Sequence, residues 1–254
     1  MFLYINSKDN VNTASNDIMI KIDHDIKGNK IHLIDAIIPR SDYNLTDYNS
    51  NFILYESESP YIDSERTQIK ITNGSYNIQT LTNQIQETLN TLSKKEITYI
   101  VDFSDLKGHI TISSDTSNRK FYIGNTDNNI FNVIGYVFGD YFADDEDLTK
   151  LNISFESTNH FDLRGMNFIY IMTDMNIESS LHSNSNGDGI SCLYKIPLLH
   201  NSNDVINYQP IIKTGIRINN GVIPSGIYSI YLIDEFCHPI NLNGLHFDLT
   251  FAIE

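Results

Sequence analysis

His246-Phe-Asp-Leu-Thr-Phe-Ala-Ile253 alternates without a break: Phe247, Leu249, Phe251 and Ile253 fall on one side of an extended chain, and His246, Asp248 and Thr250 on the other. A period of two marks a half-buried β-strand, because successive side chains of an extended backbone point to opposite faces. The same period recurs near the other end of the chain, where Ile18, Ile20 and Ile22 alternate with Met19, Lys21 and Asp23. Lys27-Gly28-Asn29 then offers a tight turn, and the apolar run from Ile31 to Ile38 reads as a more buried strand that stops at Pro39. A loop rich in Ser, Asp, Asn and Tyr over residues 40–50 leads to a short strand at Phe52 to Tyr55, so the opening stretch predicts a meander.

Between about Arg66 and Phe138 the period changes. After a short strand (Gln68 to Ile71) and Asn73-Gly74, Ile78, Leu81, Ile85, Leu89 and Leu92 follow at spacings of three and four, which is one face of a helix of about four turns. A partner-binding stripe would look the same, but the reading favours the core face of a local unit. Strands are predicted at Ile97 to Phe103, at Ile110 and Ile112, and at Phe121 to Ile123, with a helical turn at Asn129 to Gly135. A strand, a helix and three strands in about 70 residues can form a small α+β unit of their own.

Beyond the acidic run Asp140 to Asp147, strands are predicted at Leu151 to Phe155, Asn167 to Thr173, Ile190 to Ile196, Val205 to Tyr208, Ile211 to Ile218 and Ile227 to Ile233. Many short strands separated by Asn, Gly and Pro turns point to a sandwich or barrel. The composition agrees: about one residue in seven is Ile, with 15 Tyr and 13 Phe, types that favour sheet over helix. At 254 residues the chain is long enough to bury a core without disulfides.

Lys and Arg number 17 against 32 Asp and Glu, a formal charge of −15, and no basic cluster is present. That argues against direct nucleic-acid binding, which draws its affinity from clustered cations. No apolar run approaches the 18 or so residues of a membrane helix, and Met1 to Asp9 lacks the form of a secretion signal, so neither secretion nor a membrane span is expected. The sequons at Asn44, Asn73 and Asn152 are accordingly expected to be unused. Cys192 and Cys237 lie far apart with no neighbouring cysteine and are expected to be free, buried thiols.

A search for chemistry returns no catalytic, cofactor-binding or metal-binding residues. His24, His32, His109, His160, His182, His200, His238 and His246 include no metal-ligand spacing, and no nucleophile elbow, phosphate loop or dinucleotide fingerprint occurs. Asn184-Ser-Asn186-Gly-Asp188-Gly189 imitates the start of a calcium loop, yet its twelfth position is Lys195 where a bidentate carboxylate is needed. Asp144-Asp145-Glu146-Asp147 reads as a solvated loop. The chain is therefore expected not to be an enzyme and to need no cofactor; a metal-dependent jelly-roll enzyme is the remotest alternative.

Several local patterns, in order, resemble the penton or minor capsid proteins of virophages, polinton-like viruses and their larger relatives in the double-jelly-roll lineage. They are Ile5-Asn-Ser-Lys-Asp9 leading into Ile18 to Ile22; Ile37-Ile38-Pro39 with Ser41-Asp42-Tyr43-Asn44; Gly74-Ser-Tyr76 with Leu81, Ile85 and Leu89; Val133-Ile134-Gly135-Tyr136; and the final strand pair joined through Pro239-Ile240 and Asn243-Gly244. The usual Arg is missing near Lys8-Asp9-Asn10, and Ile-Gly-Tyr replaces Leu-Gly-Phe. The resemblance implies a mainly β protein: a single jelly-roll sandwich from residues 1–63 and 139–254, with a small α+β domain, 64–138, inserted. It further implies a structural penton protein, a homopentamer at the fivefold vertices of an icosahedral virion assembled inside the host cell. The expected partners are its own copies, the major capsid protein and, through the inserted domain, a host surface receptor. An attachment or carbohydrate-binding module, suited by the many Tyr and Asn, is the alternative.

Overall fold

The structure, a computed structural model, describes residues 1–9, 17–41, 43–57, 65–95, 97–115, 120–124, 126–137, 154–178, 191–198, 204–211 and 214–254. The chain forms two compact units, one from Met1–Asp42 with Met166–Glu254 and the other from Tyr43–Gly165.

The chain enters the first unit through β1 (Phe2–Asn6), β2 (Asp17–Ile22), β3 (Ile26–Lys27) and β4 (Lys30–Pro39). It then builds the second unit from β5 (Asn51–Ser57), β6 (Glu65–Lys70), α1 (Ile78–Leu92), β7 (Tyr99–Ser104), β8 (His109–Ser114), β9 (Lys120–Gly124), α2 (Phe131–Ile134) and β10 (Ser154–Glu156). It returns to the first through β11 (Phe168–Thr173), β12 (Ser191–Pro197), β13 (Val205–Tyr208), β14 (Ile216–Arg217), β15 (Val222–Ile223), β16 (Gly226–Ile233) and β17 (Asp248–Ile253).

In the first unit, sheet 1 runs β1-β17-β4-β13 with β14 also on β4, sheet 2 runs β12-β11-β16-β2, and β3 pairs with β15 in a small ribbon. Every pairing is antiparallel. One apolar cluster draws on both sheets: Ile5, Leu33, Ile38, Leu249 and Phe251 from sheet 1, and Ile18, Ile169, Ile171, Ile230 and Leu232 from sheet 2. The unit is a sandwich whose inner faces supply its core. The alternation in the quoted C-terminal strand is realised, since Leu249, Phe251 and Ile253 are buried while Asp248 and Thr250 point outward.

Three expectations are corrected. The opening stretch is no meander: β2 pairs with β16, β4 pairs with β17, β13 and β14, and the two lie in different sheets. Local alternation fixes which face of a strand is apolar but not which strand completes it. Among the described residues of the expected strand Ile211 to Ile218 only β14 is strand, and Gly215 just before it lies against the His32 ring, where a Cβ would collide. The second unit also extends past 64–138 on both sides, since β5 pairs with β6 and β9 and β10 pairs with β8.

Within the second unit, sheets β6-β5-β9 and β10-β8-β7 and helix α1 share one core. The helix occupies the residues its periodicity predicts. Asn77 caps it, the Asn77 side chain accepting from Thr80 N at 2.8 Å while the Thr80 hydroxyl accepts from Asn77 N at 3.0 Å. Leu81, Ile85 and Leu89 are fully buried, so the stripe is core. The polar side of the helix closes the edge of β7. Asn90 donates to Tyr99 O at 3.1 Å and accepts from Tyr99 N at 2.6 Å, and Gln86 accepts from Val101 N at 2.9 Å. After α2 the chain reverses at Gly135, whose φ of 79° and contact with the Asn159 carbonyl leave no room for a side chain.

Candidate assembly surfaces

The outward face of sheet 1 can be read from its registers. Ala252 lies between Phe2 and His32, Thr250 between Tyr4 and Asp35, and Asp248 between Asn6 and Ile37. Phe2, Tyr4, Ile37 and Val205 are exposed, Tyr4 by 73%, which is unusual for a wet sheet face. Asp35 accepts from the Thr250 hydroxyl at 3.1 Å, so this face combines apolar groups with the carboxylates of Asp35 and Asp248. At its corner His32 is buried, with its Nε2 3.4 Å from the exposed Glu254 carboxylate.

The outward face of sheet 2 is more apolar still. Tyr170 stands opposite Lys195 and Ile233, Met172 opposite Cys192 and Tyr231, and Ser229 opposite Met19. Met172, Cys192 and Ile233 form a cluster separate from the sandwich core, flanked by Tyr170 and Tyr231. Met19 and Ile227 are exposed, the latter by 65%. The Lys195 ammonium lies 3.6 Å from the Phe168 ring centroid and 5.5 Å from that of Tyr170, a geometry in which ring quadrupoles offset part of its lost hydration. These residues were not nominated from sequence. The available signal was Phe168-Ile-Tyr-Ile-Met172, apolar on both faces where a half-wet strand would alternate.

The candidates drawn from sequence scatter. Cys192 is buried, and that burial pushes its thiol pKa up. Cys237, expected to be buried, is exposed at φ 67° in the turn that Asp234 organises by accepting from Phe236 N and His238 N. Among the described residues no group of three His, Cys, Asp or Glu is placed to hold a metal ion, and no helix is long and apolar enough to cross a membrane. His182, His200, Asn152, the Asn184 to Gly189 loop and the Asp144 to Asp147 run lie outside the described residues. Asn44 donates to Tyr76 O and Leu163 O and accepts from Tyr76 N, so its amide is part of the fold.

The second unit holds the most concentrated polar group. Glu56, wholly buried, accepts from the Ser93 hydroxyl at 2.6 Å, from Lys94 N at 2.8 Å and from the Tyr99 hydroxyl at 2.8 Å. It ties the end of α1 to β5 and β7. Burial, then the Glu56 charge and hydrogen bond, push the Tyr99 phenol well above its ordinary range. On the surface of the same unit, Glu156 accepts from Lys107 at 3.0 Å and meets His109 Nδ1 at 3.4 Å. Lys107 first, and then His109, hold its carboxyl below the usual range. Glu56 links three chain segments, and Glu156 links the ends of β8 and β10.

A family described as a family of unknown function (DUF5901) matches residues 14–207. The chain belongs to that family. No curated protein matches. Among solved structures, this member of the family is similar to the crystal structure of the mavirus penton protein. The TM-score is 0.54 at 13% identity, and the alignment covers 100% of this chain and 98% of the other. The likeness establishes a shared, mainly β, penton-like fold.

Proposed function

We propose that the chain is a penton-type minor capsid protein, a homopentamer at the fivefold vertices of an icosahedral capsid, with the first unit a single jelly roll. The observation that carries this is the strand order. With the eight principal strands of that unit (β1, β2, β4, β11, β12, β13, β16, β17) counted one to eight, sheet 1 runs 1-8-3-6 and sheet 2 runs 5-4-7-2. First pairs with eighth, second with seventh, third with sixth and fourth with fifth, which is the nesting of a long hairpin rolled into two Greek keys. The second unit is inserted between the third and fourth strands, where it interrupts none of these pairs.

Full-length likeness to the mavirus penton protein supports the same reading. Its work is mechanical rather than catalytic: apolar outer faces of the roll are covered by further copies and by the surrounding major capsid protein. The residence is the virion. Native mass spectrometry of the purified chain across a concentration series is expected to show a five-chain species. A cryo-EM map of the particle with no density for this chain at the vertices overturns the proposal.

A further inference from the structure

We infer that copies join through unlike faces, the Lys195 face of sheet 2 on one copy receiving the Asp35 and Asp248 face of sheet 1 on the next. The inference rests on the homopentamer reading above and supplies its contact.

Two sheet faces of one sandwich point in opposite directions, so a single copy cannot use one to cover the other. Each carries exposed apolar residues of the kind a second protein surface buries: Tyr4 on sheet 1, Ile227 on sheet 2. The charges beside these apolar groups have opposite sign, carboxylates on the inner strands of sheet 1 and an ammonium on the β12 edge of sheet 2; on the β2 edge, Lys21 is already paired with Asp23 at 2.7 Å. Sheet 1 sets Asp35 and Asp248 beside Tyr4 and Ile37. Sheet 2 sets exposed Lys195 over the Phe168 ring.

Charge decides between the three ways of pairing these faces. Sheet 1 against sheet 1 brings carboxylates together, and sheet 2 against sheet 2 brings ammonium groups together. Sheet 1 against sheet 2 alone places Lys195 among carboxylates. In a chain of net charge −15 copies repel at long range, so contact depends on such local pairing. A contact between unlike faces repeats around an axis and closes as a ring when its rotation allows, whereas like-face contact stops at two copies. The ring demanded by a fivefold vertex and the pairing favoured by charge are the same kind of contact.

The test is charge exchange in the full chain, read by native mass spectrometry and, for assembled particles, by vertex occupancy. Lys195→Glu and Asp248→Lys are each expected to raise the concentration needed for the five-chain species at least about tenfold. The double variant, which restores opposite charges across every contact, is expected to return most of that loss. Thermal unfolding of the three variants, expected to match the parent chain, separates lost contact from lost folding. Five-chain assembly that survives both single reversals, or a double variant that folds but stays as impaired as the singles, overturns the face assignment and leaves the vertex role standing. Absence of the unaltered chain from the vertices overturns the vertex role itself.

Discussion

In the first unit, the strands that share a core come from opposite ends of the chain: Leu3 of β1 pairs with Phe251 of β17, which in turn pairs with Leu33 of β4. The cluster they enclose is built of Ile, Leu, Phe, Met and Ala side chains. In the second unit some partners are near neighbours in sequence, β7 with β8 and α1 against β7, while β5 reaches to β9, and a buried carboxylate joins the end of α1 to β5 and β7. One unit is held by side chains that leave water and the other by those plus a polar tie. A sandwich closed by distant strands needs only apolar inner faces, because its ladders already satisfy the backbone. A helix that ends beside a sheet must turn its chain into the next strand, and Glu56 holds that turn by accepting from Lys94 N, just past the C-cap Ser93. The difference suits their places in the proposed assembly, with the first unit offering faces and the second closed upon itself.

The comparison is broken most severely by emptying the apolar core. Phe251→Ala is expected to cost about 3–5 kcal/mol. Hydrogen exchange should locate the loss in β1, β4 and β17, with α1 and β7 protected as before; uniform loss across both units would contradict their separate cores.

Glu56→Gln tests the other half. It replaces a charged acceptor with an amide that can keep its oxygen for the Ser93 and Tyr99 hydroxyls but then turns its NH2 toward Lys94 N, at a cost of about 2 kcal/mol. The opening should appear first in residues 93–99. An unchanged denaturation midpoint would mean that the tie carries no net stability.

The same tie has a pH signature. An unfolded tyrosine loses its proton near pH 10, while Tyr99 in the fold holds its own above that range because burial, and then Glu56, oppose the phenolate. The folded state therefore binds more protons than the unfolded one above about pH 10, and stability falls as pH rises through that region. Tyr99→Phe should flatten this alkaline decline. In the first unit Tyr194, pushed up to about 12 by burial and then by Tyr208, should ionise before Tyr99 in a phenolate absorbance titration.

Smaller still, Asn77→Ala removes the cap of α1 and is expected to cost about 1 kcal/mol, read as a lower denaturation midpoint with faster exchange in the first helical turn. Lys21→Ala breaks a fully exposed pair with Asp23 and should leave the midpoint where it was. A measurable shift there would mean that the outer face of sheet 2 contributes to the monomer.

Helix α1 was legible because the feature that defines it is local: Ile78, Leu81, Ile85, Leu89 and Leu92 at a 3-and-4 spacing. The inward residues of β17 and β2 were legible for the same reason, since a period of two is local. Strand β1 went unread because its five residues, Phe2-Leu-Tyr-Ile-Asn6, are apolar on both sides and alternate only when laid against β17. The true boundary near Tyr43 coincides with the polar loop that begins there, but a loop looks alike whether it joins two strands or two units.

What the sequence determined alone is which residues are apolar on which face of each strand, and that no recognisable catalytic motif accompanies them. Tertiary structure decided which strands meet, and therefore that Lys195 comes to lie on Phe168 and that Asp35 and Asp248 share a face with Tyr4. The physical reason is that side-chain direction along a strand repeats every two residues and is encoded locally, whereas strand pairing is a choice among distant partners that only burial of the whole sandwich resolves.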